Sequence, residues 1–132
     1  MLVVDASCMF EVVADTRRAA AIAERLAADT DHVAPHVIDV EVLGVIRAHH
    51  LRGLLDGTAA SQAVTDLADW PGQRFSHRQF VGRAWELRDS VRGWDAFYVA
   101  LAEAFDAPLV TLDARLARAH GVRCQVEVIT AG

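Results

Sequence analysis

Four carboxylates stand where chemistry could be built: Asp5, Glu41, Asp95 and Asp113. Asp5 closes a short apolar run at the start of the chain, and Asp113 closes a second one, Leu-Val-Thr-Leu. The carboxyl ends of strands are where open α/β sheets form their ligand crevices, so both acids fall at that edge. Asp95 begins an apolar helical pattern, whereas Glu41 interrupts another, Ile-Asp-Val-Glu-Val-Leu-Gly-Val-Ile. At about 100° per residue Val37, Glu41, Gly44, Val45 and Ala48 share one helix face, which places Glu41 among apolar neighbours. An unpaired carboxylate there is costly or takes up a proton, so the position calls for a cation, a hydrogen-bond partner or a metal. Asp39 points to nearly the opposite side and is expected in solvent. Each acid has a plainer reading by itself: Asp5, Asp95 and Asp113 suit helix N-caps, and Glu41 could be a neutral core group.

Taken together the four acids call for cations. Two charges 4 Å apart repel by about 4 kcal/mol at an effective dielectric near 20, so bare anions in one pocket are untenable. With no His or Cys in the set, all-oxygen ligation favours Mg²⁺ or Mn²⁺ over Zn²⁺. Acidic clusters of this kind hydrolyse phosphodiesters: one ion makes a nucleophile of water, and a second stabilises the leaving oxygen. Along extended chain Ser7 follows Asp5 on the same side and Thr111 precedes Asp113 likewise, which adds hydroxyls to the set.

These residues need elements to position them. Residues 2–6 read as a buried strand followed by a helical pattern. A helix is expected over residues 16–28 with Thr16 as its cap, a weak strand at 32–34, and the Glu41 helix over 37–50. Arg47, His49, His50 and Arg52 end that helix with positive charge, as the macrodipole favours. Asp56-Gly57-Thr58 turns the chain into a helix over 59–70, broken by Pro71-Gly72. A short strand at 73–77 precedes a helix over 78–90, whose apolar stripe includes Phe80, Val81, Ala84, Trp85 and Leu87, with Trp85 expected in the core. From Asp95 the next helix is apolar nearly all round, as suits one covered on both sides. Glu103 lies about 12 Å along it from Asp95, too far to serve the same ion. A strand at 109–112, a short basic helix at 114–120 and a strand at 125–130 complete the pattern. Alternating short apolar strands and helices give an α/β sandwich with a mainly parallel sheet.

Composition sets the outer bounds. The chain has 132 residues, 53% of them hydrophobic, and is read as one domain, residues 1–132. No run approaches the ~20 apolar residues of a membrane span, and the N-terminus does not resemble a signal peptide, so a soluble cytoplasmic protein is expected. The apolar excess is compatible with a homodimer. Cys8 and Cys124 indicate neither disulfide nor zinc and are read as small buried hydrophobes. The net charge of −5 argues against broad, non-specific nucleic-acid binding but not against a nucleic-acid substrate. All thirteen basic residues are Arg, and several gather between Arg74 and Arg92 as a local basic face. A receiver-like phosphoacceptor domain would need paired acids after the first strand and a Lys near the last, but the chain has no Lys.

The ordered set resembles the PIN-domain ribonucleases, and within them the VapC-like toxins of toxin–antitoxin pairs. The residues that carry the likeness are Val-Val-Asp5-Ala-Ser7, Glu41 in its apolar helix, Trp94-Asp95-Ala-Phe-Tyr-Val-Ala-Leu-Ala-Glu103, and Leu-Val-Thr111-Leu-Asp113-Ala-Arg115-Leu. The resemblance implies an α/β/α sandwich with about five mainly parallel strands. It implies metal-dependent cleavage of single-stranded RNA at Asp5, Glu41, Asp95 and Asp113. Ser7 and Thr111 would orient water or ligands, and Arg115 would touch phosphate. It also implies a homodimer and a cognate VapB-like antitoxin whose C-terminal segment packs into the groove. Many relatives carry a further polar or acidic residue just after the fourth acid, where this chain has Leu116 and Ala117. Trp94 stands where Tyr is frequent. A catalytically silent PIN scaffold that binds RNA or protein is the alternative, and metal affinity separates the two.

Overall fold

The computed structural model describes residues 1–130. β1 (Leu2–Val4) leads into α1 (Ala6–Val13) and α2 (Ala19–Ala27), followed by β2 (His32–Pro35), α3 (Val37–Leu51), α4 (Gly57–Asp69) and β3 (Gln73–Phe75). A single turn of 3₁₀-helix (Arg78–Phe80) runs into α5 (Val81–Glu86), then come α6 (Asp95–Phe105), β4 (Leu109–Thr111), α7 (Ala114–Arg118) and β5 (Val126–Val128). The strands form one sheet in the order β3-β2-β1-β4-β5, and every pairing is parallel.

Handedness fixes the layers. Crossovers between parallel strands are right-handed, so the two that step outward from β1 through β2 to β3 put α1 to α4 on one face. The return from β3 across to β4, and on to β5, runs the other way and puts α6 and α7 on the opposite face. The packing agrees: α1 lies against α2, α3 and α4, and α6 lies against β1, β2 and β4. Strands covered on both faces must be apolar on both sides, and Leu2, Val3, Val4, Leu109 and Val110 are all fully buried. Asp106, in the left-handed region at φ 50°, stops α6 so that the chain can enter β4.

Several expectations are met: the sheet, the α6 helix and the helix start after Asp56, whose carboxylate accepts from Ala59 N at 2.8 Å and so caps α4. Others need correction. α2 begins at Ala19, with Thr16 accepting from the Arg18 amide instead of capping the helix. The helix expected over 78–90 splits into a 3₁₀ turn and the short α5, so its stripe does not reach the core as one face. Phe80 and Leu87 are buried, but Trp85 is 66% exposed with the Arg88 guanidinium over its ring. Cys8 is buried, which pushes its thiol up to about 12, whereas Cys124 is only half-buried.

The expected basic face is largely committed to structure. Arg74 grips both oxygens of Asp39, at 3.2 and 2.8 Å, and the carbonyls of Leu67 and Trp70. Asp39 lies half-exposed on the side away from Glu41, as expected, and its carboxylate is paired there with Arg74. Arg83 holds Glu103 bidentately at 2.7 and 2.9 Å and donates to Gly121 O, while Glu103 accepts from Arg123 N. That cluster ties α5, α6 and the segment before β5 together, which is the work Glu103 does.

Candidate active site

The chain leaves β1 in one direction of sheet order and returns to β4 in the other, so a crevice opens beyond the carboxyl ends of these two strands. In the ladder Val4 stands beside Val110, and the next step brings Asp5 to Thr111. Asp5 is only 5% exposed. Its Oδ2 accepts from the Thr111 hydroxyl at 2.6 Å and the Ser7 hydroxyl at 2.9 Å. Those hydroxyls accept in turn from Asp113 N, at 3.0 Å, and Leu112 N, at 3.2 Å. The two strand ends are thus laced into one network, and Ser7 and Thr111 act first on Asp5. Burial pushes the Asp5 carboxyl above its ordinary value, with the Thr111 and Ser7 bonds working against the rise.

Glu41 comes from α3 and Asp95 from the first turn of α6. Desolvation raises Glu41 to about 7, and the charges of Asp5 and Asp95 add to the rise. The Tyr98 hydroxyl is close enough to offset part of it, yet the Glu41 Oε1 and Tyr98 Oη atoms are both buried without a completed hydrogen bond. Asp95 is raised to about 6, again mainly by burial and next by Asp5, with Arg92 opposing. Asp113 behaves differently. It caps α7 through Arg115 N at 2.9 Å and holds the Arg115 guanidinium by both oxygens at 3.0 Å, which keeps its carboxyl below the ordinary range.

All four acids line one open cleft of about 570 Å³, which leads into a recess of about 140 Å³ beside Ser90, Val91 and Leu116. The four acids, Ser7 and Arg115 are brought to a common cavity, with Thr111 buried behind Asp5, but among the described residues no three acidic, His or Cys side chains already stand in metal-ligating geometry. The all-oxygen set and the orphaned Glu41 oxygen suit a hard divalent cation in chemistry. Asp113 is engaged by Arg115 through both of its oxygens.

The helix-face reading of Glu41 needs adjusting. The buried stripe of α3 is Val37, Ile38, Val42 and Ile46, while Glu41, Val45 and His49 follow one another along the cleft wall. His49 therefore belongs to the site and not only to the helix end. Sequence reasoning also passed over Tyr98, Phe10, Glu11, Arg18 and Arg92. Tyr98 carried a signal, since it lies three residues after Asp95 and so on the same side of the helix. Glu11 and Arg18, 3.9 Å apart on the rim, carried none.

The fold and cleft define an α/β protein with a partly buried acid cluster at the switch point of a parallel sheet. Residues 2–122 match the family model described as PIN domain. Ribonuclease VapC12 of Mycobacterium tuberculosis is 38% identical over 129 residues, covering 98% of this chain and 99% of that protein. Ribonuclease VapC1 of the same species is 34% identical over 128 residues, 96% of each. The crystal structure of VapBC2 from Rickettsia felis bound to a promoter DNA fragment superposes with a TM-score of 0.68 over 98% of both chains, at 13% identity, a likeness of fold. The chain belongs to the PIN-domain family, in its VapC-like group. No helix among the described residues is long and apolar enough to cross a membrane.

Proposed function

We propose that this protein is a cytoplasmic, divalent-metal-dependent endoribonuclease that hydrolyses phosphodiester bonds in single-stranded regions of RNA. In this reading it is a single-domain toxin, acting as a homodimer and silenced by a cognate VapB-like antitoxin. The observation that carries the reading is the unbalanced charge of the cleft. Asp5, Glu41 and Asp95 all have raised carboxyls, and Glu41 keeps a buried oxygen without a partner. An arrangement that is unfavourable by itself becomes favourable once a divalent cation shares the pocket. The names of the VapC relatives support the choice of RNA as substrate.

Asp5, Glu41 and Asp95 would hold Mg²⁺ or Mn²⁺, joined by Asp113 when Arg115 releases it. The ion would supply the charge that activates water and stabilises the leaving oxygen. The protein's own residues do the rest. Ser7 and Thr111 fix the Asp5 carboxylate through their hydroxyl donors, so its geometry needs no reorganisation during reaction. Arg18, Arg92 and Arg115 line the same cleft and offer guanidinium donors to the phosphates of the chain being cut. Water adds to phosphorus as one phosphorus–oxygen bond of the backbone breaks, and the leaving oxygen takes up a proton.

The test is cleavage of a total small-RNA pool by purified protein with Mg²⁺ or Mn²⁺, beside Asp95→Asn and a chelator control. Discrete products that vanish in both controls are expected. Equal inactivity of wild type and variant, with no heat of metal binding, would sink the nuclease in favour of the silent scaffold.

A further inference from the structure

The cleft has a wall that phosphate and metal chemistry do not need. Beyond Glu41 on the same wall stand Val45 and His49, with Phe10 of α1 packed beside the His49 ring, so an apolar and aromatic stretch continues from the acids. Phe10 is anchored in the core at 8% exposure, and the His49 ring packs on it with centroids 4.6 Å apart and planes at 43°. His49 Nδ1 lies 3.0 Å from the Val45 carbonyl oxygen, which can only accept, so Nδ1 carries a proton there. That bond fixes the ring against the helix. Nε2 has no protein partner among the described residues. His49 lies two turns beyond Glu41 on α3, about 12 Å along the axis, which is the reach of a flanking nucleotide and not of the reacting phosphate.

We infer that His49, backed by Phe10, forms a subsite on which an unpaired nucleobase next to the scissile phosphate stacks. The inference rests on the ribonuclease reading above. A half-buried, pre-oriented ring gives a base its π-face without ordering a mobile side chain, and Nε2 accepts from an N–H of the base edge. Purines are favoured because the larger ring covers more of the wall. Guanidiniums bound to phosphate position the backbone, and the wall adds a preference at one base.

The experiment uses a short single-stranded RNA with one 2-aminopurine moved along it, titrated with full-length protein in the presence of a chelator. Wild type is expected to quench the fluorophore at one position. His49→Ala should lose that quench and weaken binding about fivefold to a hundredfold, the range for losing one stacked base. His49→Phe should restore both, because it keeps the π-face. Unchanged quench and affinity in His49→Ala, or a His49→Phe variant as weak as His49→Ala, would overturn the stacking role. Without metal no cleavage is read, so a protein that quenches but never cuts disproves the ribonuclease alone. One that cuts with His49 irrelevant disproves the subsite alone.

Discussion

Glu41→Gln isolates the strain that the acid cluster imposes on the fold. A glutamate titrates near 4.5 in the unfolded chain and at about 7 in its place on α3. Below the lower value both states are protonated and the carboxyl does not affect stability. Between the two the unfolded chain releases its proton while the folded chain retains it, so stability falls as pH rises, and above about 7 the whole penalty is present. Taken in full the difference amounts to roughly 3 kcal/mol. Glu41 lies at the mouth of an open cleft, and solvent there reduces the figure to about 1–2 kcal/mol. Glutamine keeps the shape and removes the charge. Urea denaturation of metal-free protein should show Glu41→Gln equal to wild type near pH 4.5 and about 1–2 kcal/mol more stable near pH 8. A gain independent of pH would mean that packing is responsible, and a loss near pH 8 would mean that the carboxylate has a partner in the folded state.

Two further changes probe the same cluster. Arg115→Gln removes the fork that holds Asp113, and because exposed ion pairs are weak, calorimetry should show Mn²⁺ bound only up to about fivefold more tightly by the RNA-free protein. An affinity unchanged from wild type would show that Asp113 never joins the ion. Thr111→Val deletes the shortest bond to Asp5 and leaves Asp113 N without its acceptor, so it should cost about 1–3 kcal/mol of folding stability by chemical denaturation, and a neutral result would contradict the network described.

The acids at element boundaries were legible because position along a strand or helix is a backbone property. Asp5, Asp95 and Asp113 stand where short apolar runs end or begin, and the parallel sheet brings those points to one edge. What sequence could not supply was how side chains share that edge. Glu41 is legible as a site residue because it interrupts an apolar pattern, but helical periodicity does not distinguish a face that meets the sheet from one that meets a cleft, so its apolar neighbours were misassigned. Trp85 failed for a related cause: its stripe assumes a helix twice as long as α5, and the break at Phe80 turns the ring outward. The Asp113–Arg115 pair was invisible as a restraint, since a carboxylate two residues from an arginine is as often bridged by solvent as by the pair itself. His49 was explained too early by the helix terminus, an account that fits any cation there and so did not locate this one.

The central position of β1 has a consequence for when the protein comes into being. β1 is the first strand made, yet Val3 finds one of its two ladder partners only at Leu109, and Asp5 meets Thr111 only as β4 docks. The cleft therefore depends on pairing between segments more than a hundred residues apart, and its acids lie far apart along the chain. Contacts of such sequence separation form late, after the loop between them has been closed. A chain halted in translation before β4 would carry Asp5, Glu41 and Asp95 but neither Thr111 nor Asp113, and so no complete cleft.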